Sequence, residues 1–159
     1  MAYVAGVTHG LNSVADGLRL PLDFSAVPRV TLIDLDGAPP AAELKETLEE
    51  IKAFYAMDRP PAVFRYLARD PRYLQGYWGA TRAAFTDRKL DRLMKEVLAL
   101  AASLTAKSDY GVDLHLREAQ RLGLSEKGLT EAVEVVQLFN TVTKIADALQ
   151  LQPDFNPRA

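Results

Sequence analysis

The sequence predicts an all-α protein, a helical bundle of about six helices that follows an irregular N-terminal arm. Seven of the nine prolines lie between Pro21 and Pro71, whereas the 81 residues from 72 to 152 contain none, so no proline interrupts helices there. Of the 159 residues, 46 are Ala or Leu, which are strong helix formers. The β-branched clusters typical of sheets are mostly absent.

Residues 1–39 form the predicted arm, because turn-forming residues interrupt its short apolar pieces. Its segment VPRVTLID fits a short edge strand or an extended arm on a neighbouring subunit, and the two readings stay open. Residues 40–152 are the predicted helical domain, and residues 153–159 are a C-terminal tail.

The first three helices follow from apolar spacing and capping residues. Apolar residues spaced by four, three and four positions give the first helix one apolar face: Leu44, Leu48, Ile51 and Tyr55. The pair Pro60 and Pro61 opens a short second helix, and Asp70 caps a third. Gly76 and Gly79 weaken that third helix by about 1 kcal/mol each, so we expect them to permit a close helix crossing.

Three longer helices are predicted after Asp87, which we expect to cap the fourth. Apolar residues cover most of the fourth helix, which predicts that it is central: Leu90, Leu93, Met94, Val97, Leu98, Leu100, Ala101 and Leu104. Gly123 ends the fifth helix in a left-handed conformation, and Ser125 caps the sixth. A stripe is expected on the sixth: Val133, Val136, Phe139, Thr143 and Ala146.

Composition excludes several classes of function. The chain has no cysteine, which removes thiol nucleophiles and thiolate ligands. Its two histidines, His9 and His115, cannot build a three-histidine metal site, and we predict no metal. A net charge of −2 gives no reason to expect a nucleic-acid partner. No apolar stretch of membrane-spanning length and no signal-like N-terminus occur, so we expect no membrane partner and a cytoplasmic location.

The residues that could carry chemistry are Glu96 and His115. Glu96 lies within the most apolar helix, where a carboxylate either reaches solvent or is held by a partner. His115 is the imidazole of the helical region, and a Glu–His pair is a minimal acid–base device. Ser108, Gly111 and His115 share one helical face, at spacings of three and four.

These residues resemble the alkylhydroperoxidase D and carboxymuconolactone decarboxylase-like family, in its peroxidase-related branch. Redox members carry a Glu, then C-x-x-C, then a His, and Glu96, Ser108, Gly111 and His115 have the same offsets of 12, 3 and 4. REAQRLGLSEKGLTEAV and FNTVTKIADAL are similar to later family segments. The resemblance covers roughly residues 30–152 and implies the family's helical bundle.

Both cysteine positions are lost, to Ser108 and Gly111, so we expect no thiol peroxidase activity. The decarboxylase branch implies cofactor-free acid–base chemistry, as a lyase or hydrolase, on a small carboxylated molecule. In that reading Glu96 and His115 are catalytic, and Ser108, Tyr110 and Gly111 line the pocket. Three arginines are sequence candidates for holding the carboxylate: Arg82, Arg88 and Arg117.

The alternative is a non-catalytic oligomeric protein that keeps a structural Glu96–His115 pair. Ser108 fits a helix N-cap better than a nucleophile, and Gly111 marks either a cavity or a loosened first turn. Glu118 is expected to be solvated. The family resemblance and the arm imply a homo-oligomer, as a dimer, trimer or hexamer.

Overall fold

The computed structural model describes residues 42–152 and Asp154. In that part of the chain the secondary structure consists of six α-helices, without strands, which confirms the all-α prediction. The helices are α1 (Ala42–Tyr55), α2 (Ala62–Leu67), α3 (Pro71–Phe85), α4 (Arg92–Ala106), α5 (Asp109–Arg121) and α6 (Glu126–Leu149). The predicted N-terminal arm, residues 1–39, lies outside the described residues, as does His9. The two readings of its VPRVTLID segment, an edge strand or an extended segment on a neighbouring subunit, therefore both stay open.

The chain divides into two compact units between Arg92 and Leu93. Described residues 42–92 belong to the first unit, and residues 93–152 belong to the second. The sequence-based domain bounds, with one helical domain over residues 40–152, stay a prediction. None of the described helices is long and apolar enough to cross a membrane.

An aromatic cluster holds the first unit together, where α3 packs against α1 and α2. Trp78 meets Phe54 and Phe64 edge to face, with ring centroids 5.2 and 5.7 Å apart. Its indole N–H donates to Glu50 Oε2 over 2.8 Å, so the buried ring also satisfies its polar group. The predicted face of α1 is confirmed, since all four of its residues are buried: Leu44, Leu48, Ile51 and Tyr55.

The start of α3 agrees with the sequence-based prediction, whereas the surroundings of its two glycines do not. Asp70 Oδ1 accepts hydrogen bonds from the backbone N–H groups of Arg72 and Tyr73, at 3.0 and 3.1 Å, as predicted for a cap. A Cβ placed on Gly76 or Gly79 would meet no atom within 4 Å in the described part of the chain. Among the described residues, the close helix crossing expected at these glycines is therefore not found.

The second unit has an apolar core contributed by α4, α5 and α6: Leu100, Leu104, Val112, Leu116, Leu129, Val133 and Val136. The fourth helix begins at Arg92 rather than next to Asp87. Met94 and Leu98 are about half exposed, at 49% and 54%, because they lie opposite the buried side of α4. The prediction of a central helix, buried over most of its circumference, is therefore wrong.

Helix α6 has two apolar faces. Its start is as predicted, with Ser125 Oγ accepting a hydrogen bond from the Gly128 N–H at 3.1 Å. Val133 and Val136 are buried as expected, but Phe139 is 68% exposed, and the neighbouring Asn140 is buried instead. The single stripe predicted for this helix is therefore wrong, because a second apolar face points to solvent.

Candidate functional site

Glu96 lies on the buried side of α4. It shares that side with Leu100 and Leu104, at spacings of four residues, and its side chain is only 1% exposed. A carboxylate removed from water costs several kcal/mol unless hydrogen-bonding partners compensate for the lost hydration. The buried position of Glu96 therefore requires a hydrogen-bonding partner.

His115 on α5 supplies that partner. Its Nδ1 lies 2.8 Å from Glu96 Oε2, and the two residues are 19 positions apart in sequence. An ionised carboxylate only accepts hydrogen bonds, so when Glu96 is ionised the donor is Nδ1, and the basic lone pair of the neutral ring is then on Nε2. The imidazole keeps 17% exposure whereas Glu96 keeps 1%. The Glu96 carboxylate is therefore buried, whereas the His115 imidazole, the group that can transfer a proton, is partly exposed to solvent.

Ser108 caps α5 and is exposed. Its Oγ accepts a hydrogen bond from the Gly111 N–H at 3.2 Å, and its own N–H donates to the Ser103 carbonyl at 3.0 Å. Lys107 precedes it in the left-handed conformation, with φ of 55°, which ends α4 and allows α5 to begin at once. The N-cap reading of Ser108 is confirmed.

Gly111 is a point of close approach to α4. A Cβ added there would lie 2.5 Å from Ser103 Oγ and 3.0 Å from Ser103 Cβ, which is too close without movement. Ser103 is held in place because its hydroxyl donates to the Ala99 carbonyl over 2.8 Å. The cavity considered for Gly111 is therefore wrong, since the Ser103 side chain occupies that space.

Tyr110 lies in the first turn of α5, and its residue is 44% exposed. Its assignment as a pocket residue stays a prediction, as do those of Ser108 and Gly111. Among the described residues, no group of three or more His, Asp or Glu side chains has an arrangement suited to a metal ion.

Glu118 was expected to be solvated, and that expectation is wrong. Its side chain is 0% exposed, and Arg121 one turn later donates to it from Nη2 at 2.7 Å and from Nε at 3.2 Å. Arg117 Nη1 lies further away, 3.9 Å from the same carboxylate. The spacing of three between Glu118 and Arg121 was the available signal, because such pairs are neighbours on a helix.

The pKa of Arg121 depends on Glu118 and also on the charge of Glu96. The hydrogen bonds that Arg121 donates to Glu118 are the largest cause of a raised Arg121 pKa, and partial burial acts in the opposite direction. The negative charges of Glu118 and Glu96 raise this pKa further. Arg121 therefore lies in the electrostatic field of the carboxylate that holds His115.

A model of the carboxymuconolactone decarboxylase family matches residues 71–152, which is half of the chain and includes Glu96, Ser108, Gly111 and His115. The chain belongs to the carboxymuconolactone decarboxylase family. The match confirms the family resemblance, and this member carries no cysteine.

A solved relative of the same architecture is the crystal structure of the alkylhydroperoxidase AhpD core from Rhodospirillum rubrum. It superposes on this carboxymuconolactone decarboxylase family member with a TM-score of 0.74 and 24% identity. The alignment covers 81% of this chain and 96% of the relative, which supports the shared fold. No curated protein matches the chain.

Proposed function

We propose that this family member is an enzyme, a cofactor-free lyase or hydrolase that uses Glu96 and His115 as an acid–base pair on a small carboxylated molecule. The single observation that carries the proposal is the 2.8 Å contact between Glu96 Oε2 and His115 Nδ1. A buried carboxylate that holds one ring nitrogen fixes the imidazole in a single tautomer and orientation. This arrangement is what proton transfer through the other nitrogen needs.

The pair supports both reaction types in the same way. In a decarboxylation the carbon–carboxylate bond breaks, CO₂ leaves, and the electron pair stays on the substrate, where the imidazolium delivers a proton to the carbon. In a hydrolysis the imidazole takes a proton from water as the water oxygen attacks the lactone carbonyl carbon, and the imidazolium returns that proton to the ring oxygen as the carbon–oxygen bond of the lactone breaks. In both reactions Glu96 compensates the positive charge that forms on His115.

The test is turnover of a panel of carboxylated lactones by the wild type, His115→Ala and His9→Ala. General acid–base catalysis contributes about 10²- to 10⁴-fold to a rate, so His115→Ala should lose activity by such a factor. His9→Ala removes the other histidine and is the matched control, with the wild-type rate expected. If the wild type and His115→Ala converted the same substrate at equal rates, the assignment of His115 as a catalytic residue would be wrong.

The second candidate function is a non-catalytic protein in which Glu96 and His115 form a structural pair. The observation that favours it is the filled space at Gly111, where Ser103 leaves no room for a further side chain. A protein that had lost a redox centre would gain stability by packing this site. The two candidate functions make different predictions only for enzymatic activity. Both predict that loss of the Glu96–His115 pair lowers the stability of the fold.

Thiol peroxidase activity is excluded from the proposal on chemical grounds. The two motif positions hold Ser108 and Gly111, and the 159 residues contain no cysteine. A serine hydroxyl does not ionise near neutral pH and cannot form a reducible disulfide. Peroxide reduction coupled to a thiol donor would contradict this statement. The cytoplasmic location stays a prediction from the sequence.

We also propose that the chain forms a homo-oligomer through the exposed face of α6. This face lies within an arc of about 100° and consists of five exposed apolar residues: Val135, Leu138, Phe139, Val142 and Leu149. The opposite side of α6 is already buried in the core. A helix that is apolar on both sides is typical of a buried helix, and every copy of the chain offers the same face to a second copy.

A further inference from the structure

The close approach of Gly111 to Ser103 has no part in the acid–base chemistry proposed above. It joins the same two helices as the catalytic pair, because Ser103 is on α4 with Glu96 and Gly111 is on α5 with His115. A Cβ built on Gly111 would lie 2.5 Å from Ser103 Oγ. At this point the two helices are therefore as close as a residue without a side chain allows.

The two contacts lie near each other along the helices. Ser103 is seven residues, about two turns, after Glu96, and Gly111 is four residues, about one turn, before His115. The contacts are therefore separated by about 10 Å along α4 and about 6 Å along α5. A helix moves as one rigid element over such lengths, so a displacement of α5 at Gly111 also displaces His115.

Hydrogen bonds hold both sides of the close approach in place. The Ser108 N–H donates to the Ser103 carbonyl at 3.0 Å, and Ser108 Oγ accepts from the Gly111 N–H at 3.2 Å. The Ser103 hydroxyl donates to the Ala99 carbonyl at 2.8 Å. The Ser103 side chain therefore cannot turn away from Gly111 without losing a hydrogen bond.

The backbone conformation does not explain the glycine at position 111. Gly111 lies in the first turn of α5, and within the described part of the chain Gly123 is the glycine with a positive φ. Any residue adopts the backbone conformation of Gly111, and a glycine inside a helix weakens that helix. What the position uses is the absence of a side chain.

An alanine at position 111 would require α5 to move away from α4. Even with Ser103 Oγ turned aside, the new Cβ would lie 3.0 Å from Ser103 Cβ, whereas ordinary contact begins at 3.4 Å. N–H···O hydrogen bonds have lengths of about 2.7–3.2 Å. A movement of a few tenths of an ångström therefore takes the 2.8 Å contact between His115 and Glu96 toward the long end of that range.

We propose that Gly111 is a positioning residue, whose missing side chain sets the distance between α4 and α5 at which Glu96 holds His115 in one tautomer. This inference rests on the proposed function for the importance of that tautomer. It concerns the geometry of the pair, however, and can be tested without turnover. Ser103 is the surface against which Gly111 sets the distance, so a larger residue at position 111 needs a smaller one at position 103.

The experiment measures the ring tautomer of His115 by ¹⁵N NMR of the full chain, in a His9→Ala background where His115 is the remaining histidine. Protonated and unprotonated ring nitrogens have well-separated ¹⁵N shifts. With the pH raised until the ring is neutral, the parent protein should show mainly the Nδ1–H form. Gly111→Ala should lower the ratio of the Nδ1–H form to the Nε2–H form by about threefold or more, because it weakens a hydrogen bond to a charged group.

Two further variants separate positioning from general destabilisation. Gly111→Ala plus Ser103→Gly restores the space and should recover the parent ratio, although a glycine within α4 weakens that helix. A merely structural role of Gly111 would not give this rescue. Gly76→Ala is the matched control, since its Cβ meets no atom within 4 Å in the described part of the chain, and it should leave the ratio unchanged.

Gly111→Ala can fail to fold because of the overpacking. Gly111→Ala plus Ser103→Ala removes the contact with Oγ and keeps the milder one with Ser103 Cβ, at 3.0 Å. This variant should fold, with a ratio below that of the parent protein. It replaces Gly111→Ala in the test if the single variant does not fold.

An unchanged ratio in the folded variant would overturn the proposal and leave the proposed function intact, because the pair would keep its geometry without the glycine. A lowered ratio that Ser103→Gly does not restore would also overturn it. A parent protein whose ring is mainly in the Nε2–H form would contradict both proposals. If His115→Ala keeps full turnover while Gly111→Ala changes the tautomer, the proposed function fails and Gly111 remains the positioning residue of a structural pair.

Discussion

His115 Nδ1 lies 2.8 Å from Glu96 Oε2 and joins α5 to α4 through a buried polar contact within one compact unit. A buried carboxylate is costly, so the sequence keeps Glu96 among leucines at the expense of some stability. The proposed function gives a reason for that cost, because the carboxylate orients the imidazole. The neighbouring features of α4 and α5 allow this account to be tested.

The approach of Ser103 to Gly111 predicts a stability effect. Gly111→Ala should lower the free energy of unfolding by about 1–3 kcal/mol, because its Cβ would lie 2.5 Å from Ser103 Oγ. The double variant Gly111→Ala plus Ser103→Gly lacks both atoms that would clash with the new Cβ, Ser103 Oγ and Ser103 Cβ. Its loss of stability should therefore be smaller than the sum of the losses caused by the two single substitutions. Urea unfolding followed by circular dichroism measures these differences.

Gly76→Ala is the matched control for that prediction. Gly76 is also in a helix interior, but a Cβ there meets no atom within 4 Å in the described part of the chain. Alanine should therefore raise the free energy of unfolding by about 0.5–1 kcal/mol through its helix propensity. If the two substitutions changed stability in the same direction, the close approach at Gly111 would be wrong.

Lys107 predicts an effect of backbone conformation. Its φ of 55° is left-handed, and the N–H groups of Lys107 and Ser108 complete the helix-ending motif by bonding to the carbonyls of Leu104 and Ser103. Lys107→Gly should stabilise the chain by about 0.5–1 kcal/mol, because glycine adopts this conformation without steric cost. Lys127→Gly, within α6, should destabilise it by a similar amount. Thermal unfolding compares the two variants, and a loss of stability in Lys107→Gly would contradict the assigned conformation.

The exposed face of α6 predicts a change in assembly. Leu138→Glu places a charge in the middle of the apolar face, where the residue is 65% exposed, and should dissociate the oligomer at micromolar concentration without unfolding the chain. Thr130→Glu adds the same charge elsewhere on α6 and should leave assembly unchanged. Sedimentation velocity measures both variants. A monomeric wild type, or an oligomer that resists Leu138→Glu, would count against this interface.

The raised pKa of Arg121 predicts how its contribution depends on pH. A raised pKa means that the stabilisation is present in full below the ordinary pKa of an arginine and is lost only as pH rises through the raised pKa. The stability difference between wild type and Arg121→Gln should therefore be the same at about pH 7 and pH 10. Urea unfolding at both pH values measures it. A difference that disappears by pH 10 would show that the charge of Arg121 does not stabilise the fold.

Much of the fold could be predicted because local signals agree with the packing. Proline placement, apolar spacing and the caps at Asp70, Ser108 and Ser125 identified most helices, since these features act within a few residues. The errors concern apolar residues such as Met94 and Phe139, which were expected to be buried and are exposed. Periodicity locates apolar faces on a helix, but it does not distinguish a core face from a face left for a partner.

The site was predictable in part for a different reason. The spacing of Glu96, Ser108, Gly111 and His115 matched a family pattern, so the Glu–His contact could be expected before the structure. Glu118 was missed because a charged pair three residues apart usually lies on a solvated helix surface. The filled space at Gly111 was missed because it depends on Ser103, whose approach only the packing of α4 against α5 reveals.

A double-mutant cycle on kcat, with Glu96→Gln, His115→Gln and the double variant, tests most directly whether the pair acts as one catalytic unit. The amides keep similar shapes, and circular dichroism checks that each variant folds. Each single substitution should lower kcat by about 10²-fold or more, and the double variant should fall little below the slower single one, because residues that act together are not additive. Folded single variants that turn over a substrate at the wild-type rate would contradict the account.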